Sequence, residues 1–543
     1  MTPRSRLALV ALLGASAAIL ATEAVHDSVT VDEFAHLPAG LYYLATGRFE
    51  VYDLSPPLLR VLAALPVRAA RPAGDMTHFA TPPEHWALGY EFMAANAARY
   101  HALFVLGRLP MSLLALALAA AVFAFARRNL GPAPAVAAAA LAAFCPTVLG
   151  HGHLVGTDVG CALAMFLAAW AALAALRRPT AGRTALFGVA LGGAALTKFS
   201  ALALYPIVAV LAAVAGPPRG RRAAAIAGGV ALSVLVIDAG YLGRGVGRPL
   251  AAYALSSPRL QRLAAGPFGR VPLPLPHDFV DGLDRQGVEA AGYYPVYFHG
   301  ALARRGWWYY LPAAFALKAT LPMLALLLGG AVVLLRGRLR DPLLVAFLAV
   351  PPLAFAALAI ALTDIDLGVR YLLPAYPFLF LVAALPVAAA PVALRRAAIA
   401  LVAAHVVVSA AATPHHLAYF NRLAGDPDAA YRWLADSNLD WGQELRDLRA
   451  YMTEHGIRRV RLAYFGRVAP EVYGVDYELP RGRLEPGTYA VSATFLAGIP
   501  YFLWDHGTVY EAPPNAFALF RRHAPRAVLG HSLFVYELPA PAG

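Results

Sequence analysis

Apolar residues in this chain gather into long uninterrupted runs, separated by turns that carry most of the charge. Runs able to cross roughly 30 Å of hydrocarbon lie near residues 6–24, 101–126, 132–149, 154–176, 183–197, 199–216, 222–240, 311–335, 342–362, 370–390 and 396–413, the fifth being short. Three long segments break the series: 25–100, 241–310 and everything after about 413. In the first, Phe34, Leu37, Leu41 and Leu44 recur at helical spacing while His36 and Tyr43 point elsewhere. That spacing predicts a short helix lying in the interface plane. A second apolar run, Leu58 to Leu65, follows Pro56 and Pro57. The last segment sets a helical pattern, Asp428 to Glu454, before the period-2 runs RRVRLAYFG, TYAVSAT and SLFVYEL, which predicts a small α/β unit. The expected fold is therefore an α-helical polytopic membrane protein with about eleven transmembrane helices. Residues 1–413 form the membrane domain with loops 25–100 and 241–310, and 414–543 form an extracytoplasmic α/β domain.

Composition agrees: 59% of the residues are hydrophobic and 14% charged, which is too apolar for a soluble protein of this size. The net charge of +13 does not point to nucleic acid, because the arginines form short clusters between apolar runs instead of one basic face. Those clusters set the orientation, since basic residues beside spans stay cytoplasmic. Arg4, Arg6, Arg127, Arg128, Arg177, Arg178, Arg183, Arg219, Arg221, Arg222, Arg336, Arg338, Arg340, Arg395 and Arg396 fall on one side, against only Lys198 and Arg370 in the alternate short loops. The N-terminus is then cytoplasmic, and the three long segments are extracytoplasmic. The first 25 residues also fit a secretory signal peptide, but without that span segment 25–100 would lose its N-terminal anchor. Cys145 and Cys161 both sit in apolar runs, which argues against a disulfide framework or a Cys-x-x-Cys metal site.

Ionisable residues at the outer ends of spans are the candidates for chemistry. Asp32 and Glu33 stand just past the first span, where paired carboxylates could take a proton from a hydroxyl or hold a cation; alternatively, Thr30 or Asp32 caps a helix. Asp53 precedes Ser55-Pro56-Pro57 and is either a further site acid or a turn residue. Asp158, near the outer end of the fourth span, is costly there unless it faces a cavity or a partner. His151 and His153 precede it and could bind zinc, but their spacing on a loop favours roles without metal. Lys198 and Arg370 carry positive charge on the wrong side, with Tyr371 beside the arginine. A lipid-linked phosphate would compensate them, as would simple pairing of Arg370 with Asp364 or Asp366 and of Lys198 with Asp158. DSNLDWGQELRD spaces Asp436, Asn438, Asp440 and Asp447 like a calcium loop, yet Trp441 stands where glycine is needed, so it reads as a capped helix start.

TVDEFAHLPAGLYYLATGRFEVYDLSPPLLRVLAALP resembles the first outer loop of bacterial family 39-like glycosyltransferases, relatives of protein O-mannosyltransferases and of the lipid A aminoarabinose transferase. RRGWWYYLPAAFALKATLP, DLGVRYLLPAYPFLF, HHLAYFNRLAGDP, DSNLDWGQEL and YFGRVAPEVYGV resemble further blocks of that group, in the same order along nearly the whole chain. The resemblance implies a GT-C fold and inverting transfer of a sugar from a polyprenyl-phosphate donor to an acceptor hydroxyl on the outer face. By it, Asp32 matches the catalytic acid and Glu33 its partner. Asp158, Lys198 and Arg370 match the family's Thr-Asp acid, its lysine and its phosphate-side arginine. His151, His153, Asp53 and Tyr371 join the expected substrate-binding set, and neither metal nor cofactor is expected. One departure is Ser55, where aminoarabinose transferase relatives carry a basic residue. The rival class is transport of a lipid-linked sugar, but transporters place their ionisable groups near the midplane. A third possibility is a non-catalytic assembly factor that presents its C-terminal domain.

Overall fold

The computed structural model describes residues 3–539 apart from 80, 217–219, 293, 363, 390, 482–484 and 506–507; Arg219, counted above, lies outside the described residues. Helices α1 (Pro3–His26), α2 (Val31–Thr46), α3 (Leu58–Ala69), α4 (His85–Asn96) and α5 (Tyr100–Asn129) open the chain. The membrane part continues through α6 (Pro132–Ala143), α7 (Pro146–Gly152), α8 (Asp158–Arg177), α9 (Ala181–Ala195), α10 (Leu204–Val214) and α11 (Arg221–Gly240). After α12 (Pro258–Ala265), α13 (His277–Glu289) and the hairpin β1 (Val296–Phe298) and β2 (Ala301–Ala303), α14 (Tyr310–Lys318), α15 (Leu321–Leu335), α16 (Pro342–Leu362), α17 (Tyr376–Ala389) and α18 (Val392–Ala410) complete it. Each of the eleven apolar runs is helical. Seven helical segments are long and apolar enough to span among the described residues. Two further runs are bent pairs, α6 with α7 at 53° and α14 with α15 at 118°, each broken at a proline-bearing junction. The remaining two, α9 and the stretch 199–214, are shorter than a full span. The protein is a polytopic membrane protein.

Burial sorts the spans. Nearly all of α8 and of 369–388 is enclosed, whereas α1, α11 and α18 expose most of their apolar surface to the surroundings. The enclosed centre is built from alanine, as in PAPAVAAAALAA of α6, and from a nest of rings: Phe125 stacks on Phe347 at 4.5 Å, with Phe166 and Phe378 edge-on. Small residues let the backbones approach where no hydrophobic force acts between helices. On the side away from the long loops, Arg177 donates to Asn129 and Asp341, so turns bearing Arg127, Arg177 and Arg340 lie together, as the charge pattern predicts.

The helix expected to lie in the interface plane is instead enclosed. Phe34, Leu37 and Ala39 are fully buried and His36 and Tyr43 nearly so, because α3, α4 and α5 cover α2 on several faces. Gly40 permits the closest of these crossings, since a Cβ there would meet the Arg60 carbonyl at 2.2 Å. In the C-terminal part, α19 (Leu445–Glu454), α20 (Ala493–Ala497) and strands β3 (Val460–Ala463), β4 (Tyr477–Glu478), β5 (Gly487–Ser492), β6 (Tyr501–Asp505), β7 (Thr508–Ala512), β8 (Ala527–Leu529) and β9 (Leu533–Leu538) form a small α/β unit. Its main sheet has the order β4-β3-β5-β9-β8, with β3 parallel to β4 and β5, and β9 antiparallel to β5 and β8. The three period-2 runs become β3, β5 and β9. The helix predicted from Asp428 is confined to α19, because Asp436 (φ 55°) and Gly442 (φ 84°) turn the chain out of helical geometry.

One buried ion pair joins the parts. Arg108, on α5 and wholly buried, donates from Nε and Nη2 to the Glu33 carboxylate at 2.8 and 2.6 Å. Its other donors reach the carbonyls of Ala24, Asp27 and Ser28 at 2.8, 2.7 and 3.0 Å, so all five N–H groups are used. A cation at the C-terminal end of α1 also complements the helix dipole. Glu33 in turn accepts from the backbone N–H of Thr30 (3.1 Å) and of Val155 (2.8 Å), tying the start of α2 to the approach to α8. Arg108→Met leaves a charged, enclosed carboxylate and is expected to lower stability by about 3–5 kcal/mol. The double variant Arg108→Met/Glu33→Gln should lose much less than the sum of the two single changes. Thermal unfolding in detergent measures both, and strict additivity would deny the pair its joining role.

Candidate active site

Asp32 follows directly from that anchor. It sits in the first turn of α2 beside Glu33, while Asp158, three residues beyond Val155, opens α8 at the helix end whose dipole favours a carboxylate. Arg370 enters from the 3-10 turn Val369–Ala375 and donates Nη1 to Asp32 Oδ2 at 2.8 Å and to Asp158 Oδ2 at 3.5 Å. Lys198, between α9 and α10, donates Nζ to the other Asp158 oxygen at 2.5 Å. Both cations lie over the Tyr371 ring, at 5.0 Å for Lys198 and 5.3 Å for Arg370. Two carboxylates and two cations thus share one cluster. Asp32 and Lys198 keep 22% and 20% of their side-chain surface exposed, so the cluster can be reached from outside.

The C-terminal unit supplies the floor. The Arg370 guanidinium lies 4.5 Å from the centre of the Trp441 ring, and His151 meets the same ring edge-on at 5.7 Å. Asn438 accepts from the Val369 N–H and donates to the Tyr310 hydroxyl, both at 2.9 Å, which fixes the turn carrying Arg370. Gly368 has no side chain to spare: a Cβ there would lie 2.4 Å from Ser437 Oγ. Asp436, in a left-handed conformation that few residues other than glycine or asparagine adopt, stands beside the cluster; burial pushes its carboxyl up to about 6 against the pull of Arg370.

The remaining expectations separate. Glu33 does not share a proton with Asp32; its oxygens are occupied by Arg108, Thr30 and Val155. Burial alone would raise its carboxyl, but Arg108 and the two backbone donors hold it below the usual value. His151 and His153 face different groups, for His153 Nε2 donates to Asp27 Oδ2 at 3.0 Å and its Nδ1 lies 3.4 Å from Glu23. Asp53 pairs with Arg285 of α13 at 3.1 Å instead of joining Arg370. Arg370 pairs with neither Asp364 nor Asp366, which accept from the Gly306 and Trp307 N–H groups. The calcium-like loop is dispersed: Asp440 accepts from Thr494 and Gly442, while Asp447 turns toward His26.

Sequence reasoning missed four residues. Arg108 was visible as the one charge inside HALFVLGRLPMSLL, and an arginine within an apolar run calls for a buried partner. Lys318 was likewise visible at the end of α14, where it donates to the Leu417 and Asn438 carbonyls. Trp441 and Arg60 gave no signal. Arg60, buried on α3, donates to the carbonyl and hydroxyl of Ser55, to Tyr52 O and to the Tyr43 hydroxyl, with the Tyr52 ring 4.4 Å away. A guanidinium therefore does reach Ser55, from one turn farther along the chain.

Residues 101–239, which carry Asp158 and Lys198, match the dolichyl-phosphate-mannose-protein mannosyltransferase family. No curated protein sequence matches the chain. Among solved structures it is similar to ArnT from Cupriavidus metallidurans bound to undecaprenyl phosphate, at 14% identity and a TM-score of 0.48, over 92% of this chain and 97% of that one. The apo state of the same ArnT gives 13% identity and a TM-score of 0.38, covering 97% of each chain.

Within the C-terminal unit, burial raises the Asp440 carboxyl from 3.8 to about 7 against its hydrogen bonds from Thr494 and Gly442. Unfolded, that group ionises near pH 4; folded, it keeps its proton to about 7, so its contribution to stability is lost as pH rises across that interval. Asp440→Asn should therefore unfold at temperatures that change less between pH 4.5 and 7 than the wild type does. Melting curves in detergent at the two pH values check this, and an unaltered difference would contradict it.

Proposed function

We propose that this protein transfers a sugar, with inversion, from a polyprenyl-phosphate donor to an acceptor hydroxyl on the outer face of a bacterial inner membrane. The observation that carries the reading is Arg370 shared between Asp32 and Asp158, with Lys198 on Asp158 and all four charges at one site. Support for the family of reactions comes from the match over residues 101–239. Support for the outer location comes from the basic turns gathered on the opposite side.

In this mechanism the donor phosphate takes donors from Arg370 and Lys198. That loosens the Arg370–Asp32 pair and frees the Asp32 carboxylate for the acceptor. The acceptor oxygen attacks the anomeric carbon from the face opposite the phosphate; the new C–O bond forms as the bond to phosphate oxygen breaks. The acceptor proton passes to Asp32, and the departing polyprenyl phosphate, more negative than the donor, is stabilised by the two cations already in place. Asp158 holds both cations toward the lipid, and Tyr371 and Trp441 give them aromatic surfaces that need no reorganisation. Glu33, with Arg108, positions Asp32 and touches neither substrate. Asp53, paired with Arg285, takes no part in the cluster, and His151 packs edge-on against Trp441.

Asp32→Asn is expected to abolish transfer while the protein still folds and still binds polyprenyl phosphate; turnover comparable to wild type would remove Asp32 from the chemistry. The assay incubates purified protein with labelled polyprenyl-phosphate sugars and follows the label into lipid, glycan and protein acceptors. Movement of intact labelled lipid across vesicles without transfer would instead favour transport. Arg370→Lys keeps the charge but cannot bridge two carboxylates and a phosphate in one plane. It should cut the turnover rate by roughly a hundredfold or more, about the value of one preorganised donor at a developing oxyanion, and single-turnover kinetics with saturating donor would read the loss.

A further inference from the structure

A second cluster of ionisable groups lies where the end of α1, the turn after α18 and the start of α19 meet. His26 Nε2 stands 3.1 Å from Asp447 Oδ1. The rings of His26 and His415 meet edge to face with centroids 5.2 Å apart. One ligand atom from each of His26, His415 and Asp447 fits within 4.8 Å of the others. Glu444, three residues before Asp447 and on the same face, has a side chain only 4% exposed, with Oε1 3.7 Å from His415 Nδ1.

Two features of this cluster lack a partner. Glu444 Oε2 is enclosed with no hydrogen-bond donor, and His415 Nδ1 is enclosed with no hydrogen bond either. A buried carboxylate beside a second carboxylate, with no donor of its own, calls for a proton or a cation between them. The surroundings are arranged for a cation. His26 Nδ1 is taken by Asp27 Oδ1 at 3.1 Å, and the other Asp27 oxygen is held by His153 at 3.0 Å. A carboxylate on one ring nitrogen sets the tautomer and turns the second nitrogen toward a metal.

We propose that His26, His415, Asp447 and Glu444 bind a divalent ion of the zinc class. Two imidazoles and two carboxylates suit four-coordinate zinc, whereas magnesium and calcium would take oxygen ligands. The ion ties the end of α1, through His26, to the C-terminal unit, through His415, Glu444 and Asp447. It is a staple rather than a participant in sugar transfer, because Arg370, Asp158 and Lys198 contribute nothing to it. The sequence reading assigned no metal: ligands at 26, 415, 444 and 447 show no motif spacing, and the one pair with a suggestive spacing, His151 and His153, is split between two environments.

The test uses the full chain purified without a histidine tag, stripped with chelator and titrated with Zn²⁺ or Co²⁺. About one equivalent should remain after dialysis, Co²⁺ should give the visible absorption of a four-coordinate site, and an excess of Mg²⁺ or Ca²⁺ should not displace it. Zn²⁺ should raise the melting temperature of wild type. Asp447→Asn and His415→Ala should each weaken binding by roughly tenfold or more and remove that rise. If Asp447→Asn does not yield folded protein, His415→Gln, at a side chain about a quarter exposed, carries the same expectation. Wild type that retains no Zn²⁺, or variants that bind it as wild type does, overturn the proposal, and neither outcome bears on the sugar-transfer reading.

Discussion

A single guanidinium organises the half of this molecule that carries the long loops. Arg108 closes the C-terminal end of α1 through three carbonyls and takes both oxygens of Glu33, which in turn holds the N–H of Val155. Asp32 is one residue from Glu33, and Asp158 is three from Val155, so their separation follows from this pair. An enclosed cation with all five donors used is far costlier to half-dismantle than to keep. That asymmetry makes the position of Asp32 insensitive to whatever occupies the site beside it.

The site itself is balanced differently. Asp32, Asp158, Arg370 and Lys198 offset one another, so the cluster can persist at the edge of an apolar bundle without a bound anion. Arg370 reaches Asp158 at 3.5 Å and Asp32 at 2.8 Å, which leaves it one long contact and one short one. In the proposed reaction a donor phosphate would compete with these carboxylates rather than with water for the two cations, and in that low-polarity setting each exchange would be felt by the Asp32 carboxylate. The aromatic faces of Tyr371 and Trp441 hold the guanidinium in place while its partners change.

Much of this was legible in the chain. Hydropathy marked all eleven helical runs because each is apolar enough to stand out by itself, although α9 and 199–214 fall short of a full span. Asp158, Lys198 and Arg370 stood out because each is costly or misplaced at the end of a span, and cost of that kind has to be met by a partner. Pairing was less legible: Arg370 had two acids, Asp364 and Asp366, within six residues, yet bonds Asp32 and Asp158 from hundreds of residues away. The enclosed state of α2 was also hidden, since its apolar stripe is that of an interfacial helix and only α3, α4 and α5 together cover the other faces. The seven residues from Asp436 to Gly442 were read as the start of a helix; positive φ at both ends makes them a turn that delivers Trp441 beneath Arg370.

The C-terminal unit is therefore part of the site and not a passenger on it. Val31 N–H donates to the Trp441 carbonyl and Ser28 N–H to that of Gln443, so the α1–α2 turn that presents Asp32 is hydrogen-bonded on one side to α5 through Arg108 and on the other to residues 441–443. Asn438 grips the start of the turn bearing Arg370, accepting from the Val369 N–H and donating to the Leu367 carbonyl. Removing residues 414–543 would leave the backbone donors of Ser28 and Val31 unpaired and the Arg370 guanidinium without its aromatic floor. An assembly factor that merely displayed this unit would have no need of such ties. They hold the turn bearing Asp32 and the turn bearing Arg370, 338 residues apart in the chain, within hydrogen-bonding distance of each other, which is the positioning the proposed transfer would require.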